Sequence, residues 1–297
     1  MSLNRPLSRR LFVAGSVAAG LTVSTTMTRA QPGVVRLGVI GISFHAIAGA
    51  VVQTVLERLG KQVTVQQAPH DEMFRRLGGG EVDLLVAAWM PGTHRHLFEP
   101  FADRLAPLAT LYRNAQLYWT VPDYVPAELV SSVDDLVRPE VMTRMDRTIR
   151  SIGPSAGLSV RSATMLSAYG LDVAGYRVEP GETSLWLKNF RAAHTARQWL
   201  VMPLWQPHFL NQTHQLRRLK DPQGVMGSAD DAVIIANSAF ARSLDPRSAR
   251  VLAAIDIGLD GITEMDVAVN VGGLTPAEAA VHWLGAEDKR VAKWLDA

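Results

Sequence analysis

The sequence predicts an α/β protein of two lobes with a hinge and an interlobe cleft. Three observations predict it. Short apolar runs alternate with segments of helical periodicity along nearly the whole chain, the pattern of a sheet covered by helices. About 267 residues remain once the first thirty are set aside, which is room for two units of ordinary domain size. The run of elements also reads as one lobe interrupted by another. Residues 34–115 and 237–297 make the first lobe, and 116–236 the second. A chain that leaves one lobe, builds a second and returns makes two crossings, and such a hinge can close on a ligand.

The elements follow in order. Residues 34–42 (VVRLGVIGI) read as a buried strand, and 46–59 as a helix stopped by Gly60. A strand over 62–67 precedes a helix over 71–77 that ends at Gly78-Gly79-Gly80. Residues 82–88 are a third, almost wholly apolar strand. This βαβ alternation implies a mostly parallel sheet. Further on, 116–121 reads as a strand ended by Pro122, 133–136 as part of a short helix, and 148–152 as a strand. Gly153-Pro154-Ser155-Ala156-Gly157 turns into a helix over 158–169 closed by Gly170. A helix over 184–197, strands over 200–204 and 232–236, helices over 248–259 and 276–284, and a short terminal helix complete the chain.

Residues 1–30 are expected to be an export signal rather than part of the fold. Arg5, Arg9 and Arg10 precede an apolar run over 11–23, and Thr28 and Ala30 stand before an expected cut at Ala30–Gln31. The apolar run is too short to span a bilayer. Ser8-Arg9-Arg10-Leu11-Phe12-Val13 resembles a twin-arginine signal. The segment carries four of the chain's 30 basic residues and no acid, so the remainder holds 26 basic against 28 acidic side chains. No basic stripe is left for a nucleic acid. The absence of cysteine excludes disulfides, thiolate metal sites and a lipidated cysteine. The expectation is an exported, unanchored, monomeric protein of the periplasm.

Ligands of open α/β sheets bind beyond the carboxyl ends of strands. Three such ends stand out. Ser43, Phe44 and His45 follow the first strand, Trp89 and Pro91 end the third, and Trp205 and His208 lie in Trp205-Gln206-Pro207-His208. One tryptophan at a strand end is ordinarily core. Two, on different lobes and each before a proline turn, point to a ligand. A quaternary ammonium has no N–H to donate and spreads its charge over methyl groups, so it is held by electron-rich ring faces, tryptophan best. A carboxylate on the same ligand would find backbone N–H groups where the 153–157 turn opens a helix, and His208 as a side-chain donor. His94 and His96 suggest a metal pair, but no third ligand is apparent in the sequence, and a solvated loop is the plainer reading. No metal or cofactor is called for.

The chain resembles the glycine betaine/choline/proline betaine substrate-binding proteins of ABC transporters. The resemblance runs from about Val35 to Trp294. It is carried by Gly80-Glu81-Val82-Asp83 leading to Ala88-Trp89-Met90-Pro91, by Val121-Pro122-Asp123-Tyr124, and by Ile152-Gly153-Pro154-Ser155-Ala156-Gly157-Leu158 with Tyr169-Gly170-Leu171. Leu204-Trp205-Gln206-Pro207-His208, Leu219-Lys220-Asp221-Pro222 and Thr275-Pro276-Ala277-Glu278-Ala279-Ala280 add to it. It implies a binding protein, not an enzyme, that closes on a small methylated amine and delivers it to a membrane permease. It also implies that Trp89 and Trp205 are cage walls. Many relatives carry a third aromatic where this chain has Ser155-Ala156-Gly157, and others a tryptophan where it has Ser43 next to Phe44. Phe44 or Trp186 is then left to complete the cage.

The rival expectation is a secreted serine hydrolase. Gly153-Pro154-Ser155-Ala156-Gly157 fits the G-x-S-x-G elbow, with Ser155 as nucleophile and Asp230 or Asp231, then His282, in chain order. Pro154 restricts the strained turn such an elbow needs, and no glycine-rich oxyanion segment precedes it.

Overall fold

The structure, a computed structural model, describes residues 33–297; the expected export signal lies outside the described residues. Strands β1 (Val34–Ile40), β2 (Gln62–Ala68) and β3 (Leu84–Met90) run parallel, with β1 between the other two. The helix Ser43–Arg58 crosses from β1 to β2, and His70–Gly78 from β2 to β3. Long strand β4 (Leu105–Pro122) changes partners along its length. Short pairs follow: β5 (Met145–Asp146) with β8 (Trp199–Leu200), and β6 (Thr148–Ser151) with β7 (Arg177–Pro180). Then come β9 (Met202–Gln206), β10 (Leu216–Arg218) and β11 (Asp230–Asn237). The main sheet has the order β10-β4-β11-β3-β1-β2, with β9 also on β4.

Within the main sheet the expectation of mostly parallel pairing holds only for β1 to β3; the short pairs β5–β8 and β6–β7 are also parallel. Strand β11 is antiparallel to both β3 and β4, and β9 and β10 are antiparallel to β4. Residues 105–115 of β4 pair with β11, and 116–122 with β9 and β10. The first half of this strand was not legible because Pro107 lacks a ladder donor and Arg113-Asn114 interrupts the apolar pattern. Asn114 takes φ 64° where the register shifts, so the strand bends at the change of partner. Because β11 lies between β3 and the first half of β4, its residues sit with 34–115 in the sheet, not with 116–236 as expected.

Packing fixes the strand ends. The helix Ser43–Arg58 lies against Gly258–Asn270 and Pro276–Ala286, and its Ile47, Val51, Val52 and Val55 are fully buried. The stretch 258–270 was not expected as a helix; its starting Gly258 has φ 75°, which reads in sequence as a stop. Asp83 accepts from the backbone N–H of Arg36 at 2.8 Å and from its Nε at 3.0 Å, tying the starts of β1 and β3. Trp119 is buried in the core, and its indole N–H donates to the Ser162 hydroxyl at 2.9 Å. Among the described residues no helix is long and apolar enough to cross a membrane.

Candidate functional site

A bulge prepares the end of β3. Ala88 pairs with Val233 and Leu85 with Ile235, so Val86 and Ala87 stand opposite Ile234 alone. Ala87 takes φ 60° there. Such a bulge disrupts the ladder and re-aims the residues beyond it. The carbonyl of Val86 meets His45 Nδ1 at 3.2 Å instead. Trp89 follows, its indole N–H donating to the Tyr112 hydroxyl at 3.0 Å. The turn after it is closed in two ways. His94 N–H donates to the Trp89 carbonyl at 3.0 Å, and Trp89 N–H donates to His94 Nδ1 at 3.0 Å. Asp230 accepts from the backbone N–H groups of Gly92 and Thr93 at 2.6 and 2.8 Å, which holds this turn against β11.

A cavity of about 280 Å³ lies at these strand ends. Phe44, Trp89 and Trp205 border it. The Phe44 ring centroid is 5.3 Å from that of Trp89 and 6.1 Å from that of Trp205, so Phe44 stands between the two tryptophans. Ala156, Gly157 and Leu158, at the start of the helix Gly157–Ala168, form another wall. Among the described residues the N–H groups of Gly157 and Leu158 have no hydrogen-bond partner within the protein. A wider cleft of about 1120 Å³ shares Ile42 and His70 with the cavity and is bounded by Asp71, Ser155 and Glu182. Across it the Ser155 hydroxyl donates to Asp71 at 2.8 Å.

The expected site residues thus divide. Phe44, His45, Trp89, Ala156, Gly157 and Trp205 border the cavity; Ser43, Pro91, Ser155, Trp186 and His208 do not. The Ser43 hydroxyl donates to buried Asp266, which also accepts from Phe209 N–H at 2.7 Å. Burial pushes the Asp266 carboxyl up, and these donors pull it back. Pro91 is exposed. Trp186 lies against Trp205, with ring centroids 5.3 Å apart and planes 21° apart. His208 packs edge-on to Trp205 at 4.4 Å; its Nδ1 accepts from Leu210 N–H at 3.1 Å, so its hydrogen is on Nε2.

One histidine, His70, was missed, and another, His94, was set aside. His70 and His94 border the same cavity, and one ring nitrogen of each lies within 4.8 Å of one on His45 and of the other's. The expected pairing of His94 with His96 on a solvated loop is corrected here: His94 is 3 % exposed and turned inward, whereas His96 is exposed. Burial lowers His45 to about 3, aided by neighbouring His70, and lowers His70 to about 4. Burial holds His94 well below its ordinary value. All three are neutral imidazoles at pH 7.

The hydrolase constellation does not assemble. The Ser155 hydroxyl bonds Asp71 and not a histidine, Asp230 is engaged by backbone amides, and His282 is exposed on the helix Pro276–Ala286.

The strand-end aromatic cavity on this split sheet defines a ligand-binding protein of the two-lobed transport class. The chain belongs to the family described as the substrate binding domain of the ABC-type glycine betaine transport system, whose profile matches residues 33–286. That family consists of transport binding proteins, not enzymes. The chain is 26% identical over 153 residues to the glycine betaine/carnitine transport binding protein GbuC of Listeria monocytogenes, covering 52% of this chain and 50% of that protein. It thus spans about half the length of that relative. The fold matches that of lactococcal OpuAC, closed on glycine betaine, with a TM-score of 0.80 at 23% identity, covering 88% of this chain and 99% of the other. It matches a choline binding protein in complex with choline equally, with a TM-score of 0.80 at 19% identity over 89% and 92% of the two chains.

Proposed function

We propose that this protein captures a small methylated ammonium compound between its lobes and hands it to the membrane permease of an ABC transporter. The observation that carries the reading is the convergence of Phe44, Trp89 and Trp205 on one cavity. Their faces offer what a charge spread over methyl groups needs. Glycine betaine, carnitine and choline, named for the relatives, are the ligands to try. For a ligand carboxylate, the free amides of Gly157 and Leu158 are the candidate donors. In this reading the lobes are 34–115 with 230–297, and 116–229, joined within β4 and ahead of β11. The protein works exported, unanchored and as a monomer, and mature protein recovered from the periplasm should begin at or near Gln31.

Calorimetry tests the ligand class. The three methylated compounds should bind, and glycine and ethanolamine should not. A desolvated cation–π contact is worth about 2 kcal/mol. Trp89→Ala and Trp205→Ala should therefore each weaken binding about tenfold or more, and Trp→Phe at either site should weaken it less. Trp199→Ala should alter stability rather than ligand affinity. Undiminished binding by both alanine variants would remove the aromatic site from this cavity.

A further inference from the structure

The three buried histidines are not needed to hold a quaternary ammonium, and the fold fixes the hydrogen-bonding states of two of them, His45 and His94. A carbonyl only accepts, so the contact from His45 Nδ1 to the Val86 carbonyl places the hydrogen of neutral His45 on Nδ1. Its Nε2 is then a lone-pair acceptor, and that atom is buried with no partner. His94 is fixed in the opposite sense. Its Nδ1 accepts the Trp89 N–H, so its hydrogen is on Nε2, a donor. Both rings border the aromatic cavity. His45 lies directly against Phe44, with centroids 4.2 Å apart. One wall of the cavity therefore carries a free acceptor and a free donor, fixed by the bulge at Val86 and the turn at Trp89.

We propose that the His45–His94 pair receives a hydroxyl group of the ligand, so that this site selects a methylated ammonium alcohol over an ammonium without the hydroxyl. This rests on the ligand class proposed above. One hydroxyl donates to His45 Nε2 and accepts from His94 Nε2–H. An oxygen about 2.8 Å from each of two nitrogens bridges them when they are up to roughly 5 Å apart, and ring nitrogens of this cluster lie within 4.8 Å of one another. A carboxylate would satisfy His94 but set its charge against the His45 lone pair. An N–H on a partly methylated ammonium would satisfy His45 alone.

Three histidines also invite a metal ion, but the fold opposes one. His94 uses its lone pair on Trp89 N–H and presents a hydrogen from its other nitrogen. A bound dication would also stand against the faces that receive a monocation.

Choline and ethyltrimethylammonium differ by the hydroxyl alone, so their affinity ratio reads the pair directly. Calorimetry on the full protein should show choline binding at least about tenfold tighter, because its absence leaves a buried acceptor and donor unmatched. In His45→Phe the ratio should fall to within about twofold. The ratio is read within one protein, so a general loss of affinity in the variant does not affect it. A ratio near one in the parent, or an unchanged ratio in His45→Phe, overturns the proposal. So does N,N-dimethylethylamine, which has an N–H and no hydroxyl, matching choline. One equivalent of zinc bound by the parent and lost in His45→Phe also overturns it, in favour of a metal site. If none of choline, ethyltrimethylammonium and glycine betaine binds, the ligand class itself fails; if glycine betaine alone binds, the hydroxyl assignment fails and the class stands. If choline and ethyltrimethylammonium bind alike, only the hydroxyl assignment fails.

Discussion

Acid should unfold this protein far sooner than its carboxylates alone would dictate. His45, His70 and His208 are buried and neutral, with values lowered by burial to about 3, about 4 and about 3. In the unfolded chain each returns to about 6.5. Between these values the unfolded state binds protons that the folded state refuses. The stability is therefore fully present above about pH 6.5 and is lost as pH falls towards 4. At pH 5 each histidine costs about 2 kcal/mol relative to neutral pH. The three together cost about 6 kcal/mol, comparable with the whole stability of many domains. The local slope is about 4 kcal/mol per pH unit. The carboxylates of Asp71 and Asp245, held low by hydrogen bonds from Ser155 and Lys61, add their loss mainly below this window. Urea unfolding of ligand-free protein at pH 7.5, 6 and 5 measures the slope. Buried His94, also held low, adds to the slope, so His208→Gln should reduce it by at most about one third at pH 5. Equal unfolding free energies at pH 7.5 and 5 would refute the argument and mean that these rings are hydrated or charged in the folded state.

Gly157 touches Thr93 so closely that a β-carbon there would meet its methyl group and come within 2.9 Å of its carbonyl oxygen. Gly157→Val should wedge this contact apart and weaken ligand binding about tenfold or more, with little change in the unfolding midpoint. Solution scattering with ligand should find it larger than the parent. Asp83→Ala leaves Arg36 without its partner at the start of the sheet and should cost about 2–3 kcal/mol in urea unfolding, the lower side of the range for buried pairs because Arg36 is partly exposed. Ala87→Val puts a β-branched side chain at φ 60° and should cost about 2 kcal/mol, read as a lower thermal midpoint.

Much of the fold was legible because burial wrote it into the sequence. Strands β1 and β3 are almost continuous apolar runs, and the helices after β1 and β2 were expected within a few residues of where they lie. What escaped was decided by pairing between distant segments. The first half of β4 carries Pro107 and an arginine-asparagine step, and it is a strand because β11 lies beside it. The position of β11 was equally invisible, since a five-residue apolar run, 232–236, says nothing about which strand it will join.

The site shows where reading by strand ends succeeds and where it was stopped too early. Trp89, Trp205 and Phe44 were found because each follows an apolar run, and they do meet at one cavity. The histidines obey the same rule. His45 follows the end of β1, His70 the end of β2 and His94 the end of β3, each by two to five residues. Those strands are parallel neighbours, so their carboxyl ends lie side by side and whatever follows them must converge. His70 and His94 were passed over because each stands in a polar stretch, where a histidine ordinarily faces water. The parallel order of the three strands, which the sequence did suggest, was sufficient to bring the three rings together. Their hydrogen positions were not open to such reasoning. They depend on which carbonyl the bulge at Val86–Ala87 leaves free and on how the Trp89–His94 turn closes. Ring position in this cavity follows from strand order, whereas the hydrogen positions of His45 and His94 rest on two local departures from regular strand geometry.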